Sequence, residues 1–266
     1  QGVDQTGEFH PDAITRTLAA VDTIALEIAK RGVQKIRFCA TSATRDSTNR
    51  QLFIDGVRER LGVEPEVING EEEAALSFTG AIQDLSSADG PFLVVDIGGG
   101  STEFVFGTTH VQFAKSVNIG CVRMTERHFT NDPTHAHEID LARVDIQEAI
   151  AKAGAIVPIT KAKTLIAVAG TATTVAAAAL GLAEYDRYAI HLSHISADKT
   201  HEVAAMFLTS TREQRLALGY MHPGRVDVIP AGALVLSEIM KATGASEFVA
   251  SESDILDGIA RSIAGQ

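Results

Sequence analysis

Three consecutive glycines, Gly98-Gly99-Gly100, separate two apolar runs, Phe92 to Ile97 and Phe104 to Phe106, and no other segment narrows the possible folds as much. Short, uncharged apolar runs bounded by turn residues read as buried strands. The stretch Asp96-Ile97-Gly98-Gly99-Gly100-Ser101-Thr102-Glu103 therefore predicts a strand, a tight turn and a returning strand. A two-residue hairpin needs fewer glycines than this. Glycines here allow positive φ and leave backbone N–H groups uncovered. Two readings stand on these residues alone. Phosphate oxygens dock on Gly98, Gly99, Gly100 and Ser101, with Asp96 holding magnesium directly or through water; or the segment is a glycine-rich hairpin with a capping aspartate.

Around this turn the pattern alternates. Apolar residues at helical spacing from Asp12 to Arg31 end at Gly32, and Lys35 to Ala40 reads as a strand. Ser47 is positioned to cap a helix through Arg60, closed by Gly62, and Pro65 to Ile68 is strand-like. The acidic triplet Glu71-Glu72-Glu73 marks a helix start. Val111 to Val117 adds a strand, and helices are expected over Cys121 to Phe129, Ile139 to Ile156, Ala197 to Leu208 and Thr211 to Leu218. Leu165 to Ala169 and Glu247 to Ala250 read as strands that each feed a helix. The uncharged stretch Leu165 to Ala183 contains Gly170 and three threonines, so it reads as a buried strand and helix, not a membrane span. Alternating strands and helices indicate α/β packing.

With 23 Lys+Arg against 34 Asp+Glu, the net charge of −11 disfavours broad binding to nucleic acid or an anionic membrane. Any polyanionic ligand must meet a local basic patch. The basic residues lack the aromatic interleaving of a nucleic-acid platform. Cys39 and Cys121 are too few for a disulfide scaffold or thiolate metal site, and read as reduced thiols of a cytoplasmic protein. No basic-then-apolar leader opens the sequence. His128, His135 and His137 with Asp132 and Glu138 match no compact ligand spacing.

Three further segments carry candidate chemistry. Gly170-Thr171 lies at a strand-to-helix junction, either a second phosphate contact at a helix N-terminus or a threonine cap. Glu73 and its neighbours in the acidic triplet are either helix-dipole carboxylates or, if the helix start faces the glycine turn, one of them is a base for a water attacking phosphorus. Arg45, in Thr41-Ser42-Ala43-Thr44-Arg45, is either solvated or a planar fork neutralising phosphate.

Taken in order, Thr41-Ser42-Ala43-Thr44-Arg45, Asn69-Gly70-Glu71-Glu72-Glu73-Ala74, Asp96 to Glu103, Gly170-Thr171 and Ser253-Asp254-Ile255-Leu256-Asp257-Gly258 resemble the motifs of the exopolyphosphatase and guanosine pentaphosphate phosphohydrolase family. The resemblance spans essentially the whole chain and is closest to actinobacterial exopolyphosphatases. It implies an α/β, two-lobed, actin-like fold (sugar kinase, heat-shock protein 70 and actin) with ribonuclease H-like lobes. We place the lobes at residues 1–76 and 77–266, with the boundary just after Glu73. The resemblance makes Glu73 the catalytic base, Asp96 the magnesium-associated carboxylate, Gly98 to Ser101 a phosphate loop, and Arg45, Gly170 and Thr171 further phosphate contacts. Family members often form homodimers, so a homodimer is expected. The family's opening aspartate-glycine-serine-asparagine loop has no counterpart here, since Gln1-Gly2-Val3-Asp4 resembles the middle of the first lobe. An incomplete chain is expected over a lost half-clamp, because missing first strands leave unpaired edges.

The function expected is exopolyphosphatase: Mg²⁺-dependent release of terminal orthophosphate from inorganic polyphosphate, with short chains favoured by the acidic charge. Guanosine pentaphosphate hydrolysis is the rival within the same chemistry. A non-catalytic polyphosphate or alarmone sensor and an ATP-dependent kinase of the same fold are the others.

Overall fold

The computed structural model describes residues 3–264. Helices α1 (Val3–Thr6) and α2 (Pro11–Arg31) precede β1 (Cys39–Ala40), α3 (Ser42–Asp46), α4 (Arg50–Leu61) and β2 (Glu66–Val67). Then come α5 (Gly70–Ala81), β3 (Phe92–Ile97), β4 (Thr102–Gly107), β5 (Val111–Val117), α6 (Cys121–His128) and α7 (Ala136–Gly154). The remainder is β6 (Thr164–Val168), α8 (Ala169–Ala179), α9 (Arg187–Ile190), β7 (Ser193–Ser196), α10 (Ala197–Thr209), α11 (Arg212–Leu216), α12 (Ile229–Thr243), β8 (Glu247–Ala250) and α13 (Ile255–Ala264). Among the described residues no helix is long and apolar enough to cross a membrane.

Gly32 and Gly62 close α2 and α4 in the left-handed conformation, with φ of 62° and 68°, as their positions predict. The strand expected over Lys35 to Ala40 is shorter, because only Cys39 and Ala40 pair with Glu66 and Val67. Ser47 does not cap α4. Asn49 takes that position, and the Ser47 hydroxyl donates to Asn49 Oδ1 at 2.6 Å.

The main sheet has the order β5-β4-β3-β6-β8-β7, in which β3, β6 and β8 run parallel and β4, β5 and β7 antiparallel to their neighbours. Side chains alternate across a strand. Leu93, Val95 and Ile97 join Phe104, Leu165, Ala167 and Phe248 in the larger core, which α6, α7, α8, α10 and α12 cover. Phe92, Val94, Val105, Ile166 and Val249 face Ala74, Phe78 and Ala81 of α5. That alternation puts Asp96 and Glu103, which oppose one another in the β3–β4 register, on the α5 side.

Helices α5 and α13 cross with almost no side chain between them. A methyl group at Gly80 would lie 1.8 Å from the Asp254 carbonyl oxygen, and one at Gly258 would lie 2.0 Å from that of Leu76. Arg37 ties the smaller sheet into this crossing, donating to Ser262 Oγ at 2.8 Å and pairing with Glu66 and Glu72.

The turn before α7 is organised by one carboxylate. Glu138, 3% exposed, accepts from the Thr130, Asn131 and His135 amides and from the Thr130 hydroxyl. Burial pushes its carboxyl up, but the Thr130, His135 and Asn131 donors outweigh this and hold it down at about 2. A depressed folded value stabilises above the ordinary carboxylate range, and the contribution disappears as pH falls from about 4.5 through about 2. Glu138→Ala is expected to cost about 3 kcal/mol, since several buried donors lose their acceptor. Denaturant unfolding at neutral pH should show that loss, and the gap from wild type should close on acidification across this window.

Candidate functional site

The three parallel strands end at one edge of the sheet, so residues 98–101, 169–171 and 251–254 come together there. This is where an open α/β sheet holds its ligands. Helix α5 runs onto that edge. Its start is fixed by Asn69, whose side chain accepts from the amides of Glu71 and Glu72 at 3.0 and 2.9 Å. Glu73 and Ser77 are four residues apart, so they share a helix face. Ser77 Oγ donates to Asp96 Oδ2 at 2.6 Å. Glu73, 7% exposed, is held from the other side by Arg45, whose Nη1 reaches Glu73 Oε2 at 2.7 Å and the Ile68 carbonyl at 2.8 Å. Arg45 lies within α3, the helix that follows β1.

The glycine turn is shaped by close approach. None of Gly98, Gly99 or Gly100 has the positive φ anticipated from the sequence. A methyl group at Gly100 would instead stand 2.6 Å from Ser42 Oγ, and one at Gly120 would stand 2.3 Å from the Gly99 carbonyl. The carbonyls of Gly98 and Gly99 accept from the amides of Cys121, Val122 and Arg123 at 2.9 to 3.0 Å, closing the N-terminus of α6. Arg123 Nε donates to the Gly100 carbonyl at 2.7 Å and its Nη2 to Asp46 Oδ2 at 2.6 Å. The amides of Gly99, Gly100 and Ser101 have no intramolecular acceptor among the described residues. A cavity of about 120 Å³ lies on the other side of the loop, between Gly99, Gly100 and Ala43 and the Val122, Arg123 and Glu126 positions of α6.

A third acid, missed by the sequence reading, completes the group. Glu103, 1% exposed, accepts from Ser116 Oγ at 2.7 Å. Burial, then the nearby Glu73 and Asp96 carboxylates, push it up to about 8 against the Ser116 and Ser101 hydroxyls. Asp96 is pushed up to about 6, chiefly by burial; the Ser77 hydroxyl opposes this and Asp254 and Glu73 add to it. Carboxylates this close resist joint ionisation, and a cation entering among them relieves the conflict. Period-two spacing could have revealed Glu103, since it opposes Asp96 across the turn.

Gly170 and Thr171 face this edge from α8, which begins at Ala169 with a φ of 66°. The space a Gly170 side chain would need is filled by the Arg225 guanidinium, 2.4 to 2.5 Å from such a methyl group. Arg225, unmarked in the sequence except by the Pro223-Gly224 turn before it, donates to Thr174 Oγ1 at 3.2 Å. The Thr171 side chain, 4% exposed, turns instead to the Cys121 thiol and Gly232. Both cysteines are unpaired.

The Ppx/GppA phosphatase family model matches residues 1–264. Exopolyphosphatase 2 of Mycobacterium tuberculosis is 44% identical over 274 residues, covering 100% of this chain and 86% of that protein. A solved exopolyphosphatase-like protein superposes with a TM-score of 0.95 at 44% identity, over 99% of this chain and 88% of the other. The Ppx-GppA enzyme of Aquifex aeolicus superposes with a TM-score of 0.79 at 26% identity, over 98% and 86%. The fold is thus the actin-like one that the motifs implied, and with the family model matching nearly every residue, this chain belongs to the Ppx/GppA phosphatase family.

Proposed function

We propose that this hydrolase of phosphoric anhydrides is an exopolyphosphatase in which Glu73 is the base. The observation that carries the reading is the buried Glu73, paired with the half-buried Arg45, beside Asp96 and the free amides of the glycine loop. Phosphoryl transfer needs alignment of a nucleophile and neutralisation of charge more than covalent chemistry. Glu73 takes the proton of a water aimed at the terminal phosphorus. The amides of Gly99, Gly100 and Ser101 receive the phosphoryl oxygens, and Arg45 presents the remaining edge of its fork, since only Nη1 is engaged among the described residues. Gly170 keeps the backbone low beside Arg225, and the Thr171 amide takes a further phosphate.

Asp96 and its neighbouring carboxylate Glu103 are hard oxygen donors, which suits magnesium. That ion is ordinarily held by one or two carboxylates together with water and substrate phosphate. When bound, it offsets charge on the phosphoryl oxygens. Residues 1–76 form one lobe and 77–266 the other in this reading, with a homodimer in the cytoplasm as the working form.

Phosphate release from tripolyphosphate, long-chain polyphosphate and guanosine pentaphosphate, each with Mg²⁺, tests the assignment. We expect kcat/KM on polyphosphate to exceed that on guanosine pentaphosphate. The reverse order favours the guanosine pentaphosphate reading, and phosphate transfer from ATP to an acceptor without polyphosphate hydrolysis would make the chain a kinase.

A further inference from the structure

Strand order converts directly into distance along the cleft. Neighbouring strands lie about 4.8 Å apart, so the loop after β8 stands about 10 Å from the glycine loop after β3, with the Gly170 segment between them. Beyond β8 the edge is closed by the segment that enters β7, where the Leu192 amide donates to the Ala250 carbonyl at 2.8 Å. At that closed end Tyr185 Oη donates to Glu252 Oε1 at 2.6 Å.

The Glu252 segment is anchored. The Glu252 amide donates to His191 Nδ1 at 3.2 Å, and the preceding Ser251 amide donates to the Ala167 carbonyl at 3.0 Å. Ser251 Oγ donates to the Ser253 carbonyl at 2.9 Å. Tyr185 is 38% exposed, so the pair meets solvent and is not a core contact. Moving outward from the glycine loop, a ligand therefore meets free amides, then the Arg225 guanidinium packed on Gly170, then a carboxylate braced by a phenol. The first two features attract a chain of phosphates and the third repels it.

We infer that the Tyr185–Glu252 pair ends the substrate cleft and selects against long polyphosphate, so that only a short run of phosphates is held beyond the scissile bond. This rests on the reading of the cleft as a polyphosphate site. Among the described residues Glu252 bonds to Tyr185 and His191, neither assigned to the chemistry, and removing its charge leaves the amides, Arg45 and Arg225 in place.

The experiment compares kcat/KM on tripolyphosphate and on long-chain polyphosphate for the wild type, Glu252→Gln and Tyr185→Phe, with thermal melting as a check on folding. For Glu252→Gln the long-to-short ratio is expected to rise about tenfold, with tripolyphosphate turnover within about twofold of wild type. The rise should shrink as ionic strength increases. Tyr185→Phe keeps the charge but frees it to swing away, and should raise the ratio about threefold, which carries the test if Glu252→Gln does not fold. An unchanged ratio in both variants, or an equal loss on both substrates, overturns the inference. A wild type inert on both chains while cleaving guanosine pentaphosphate overturns the cleft reading itself, and the inference with it.

Discussion

Glu73→Gln is expected to lower kcat for polyphosphate by roughly 10²- to 10⁴-fold, the range usual for loss of a positioned base. The substitution is isosteric and keeps one oxygen to accept from Arg45 Nη1, now 2.7 Å from the carboxylate. Melting temperature should therefore move little, and KM should change less than kcat, because the loop amides and Arg225 are untouched. Phosphate release under saturating substrate, with melting measured in parallel, checks both halves. Full turnover in this variant would remove the base assignment and leave Glu103 as the carboxylate to examine.

Gly80→Ala is expected to destabilise the fold by about 3 kcal/mol, at the upper end of what added core volume costs. In a chain of this size that lowers the melting temperature by roughly 10 °C. The magnitude follows from what the new methyl group meets. It is a backbone carbonyl at 1.8 Å, that of Asp254, and not the end of a side chain that can rotate away. Helix α5 also carries Glu73, so surviving folded protein should show reduced turnover. Calorimetry together with the specific activity of the folded fraction reads the two effects separately; a variant that melts with the wild type would mean that the crossing is looser than its geometry requires.

Much of the fold could be read from residue order because the informative strands are buried on both faces. Phe92 to Ile97 and Thr164 to Val168 are near-continuous apolar runs, and neither period nor composition offers them another role. The same burial hid α12. Nearly every residue of Ile229–Thr243 is enclosed by α6, α7, α8 and α10, so no polar stripe announces a helix. Strand β7, four residues beside β8, carries Ser193, His194 and Ser196 and has no apolar alternation to mark it.

The candidate site divides in the same way. The glycine loop, Asp96, Glu73 and Arg45 lie in segments whose local pattern is unusual, and the structure brings them to one edge. Arg225 and Glu252 reach that edge through tertiary contacts between segments distant in the chain, which local spacing does not encode. The glycines were legible but for a different reason than their conformational freedom. Gly100 and Gly120 are required by the nearness of Ser42 and of the loop backbone, a property of packing that no single segment displays.

The seating of α6 on the glycine loop has a directional result. A trans peptide holds its C=O and the following N–H on opposite sides. With the oxygens of Gly98 and Gly99 drawn toward the first turn of α6, the hydrogens of Gly99 and Gly100 are forced to point the other way, whatever occupies the space they face. The polarity of the loop is thus written by the helix behind it: reversing either peptide plane would strip that helix of its first acceptors.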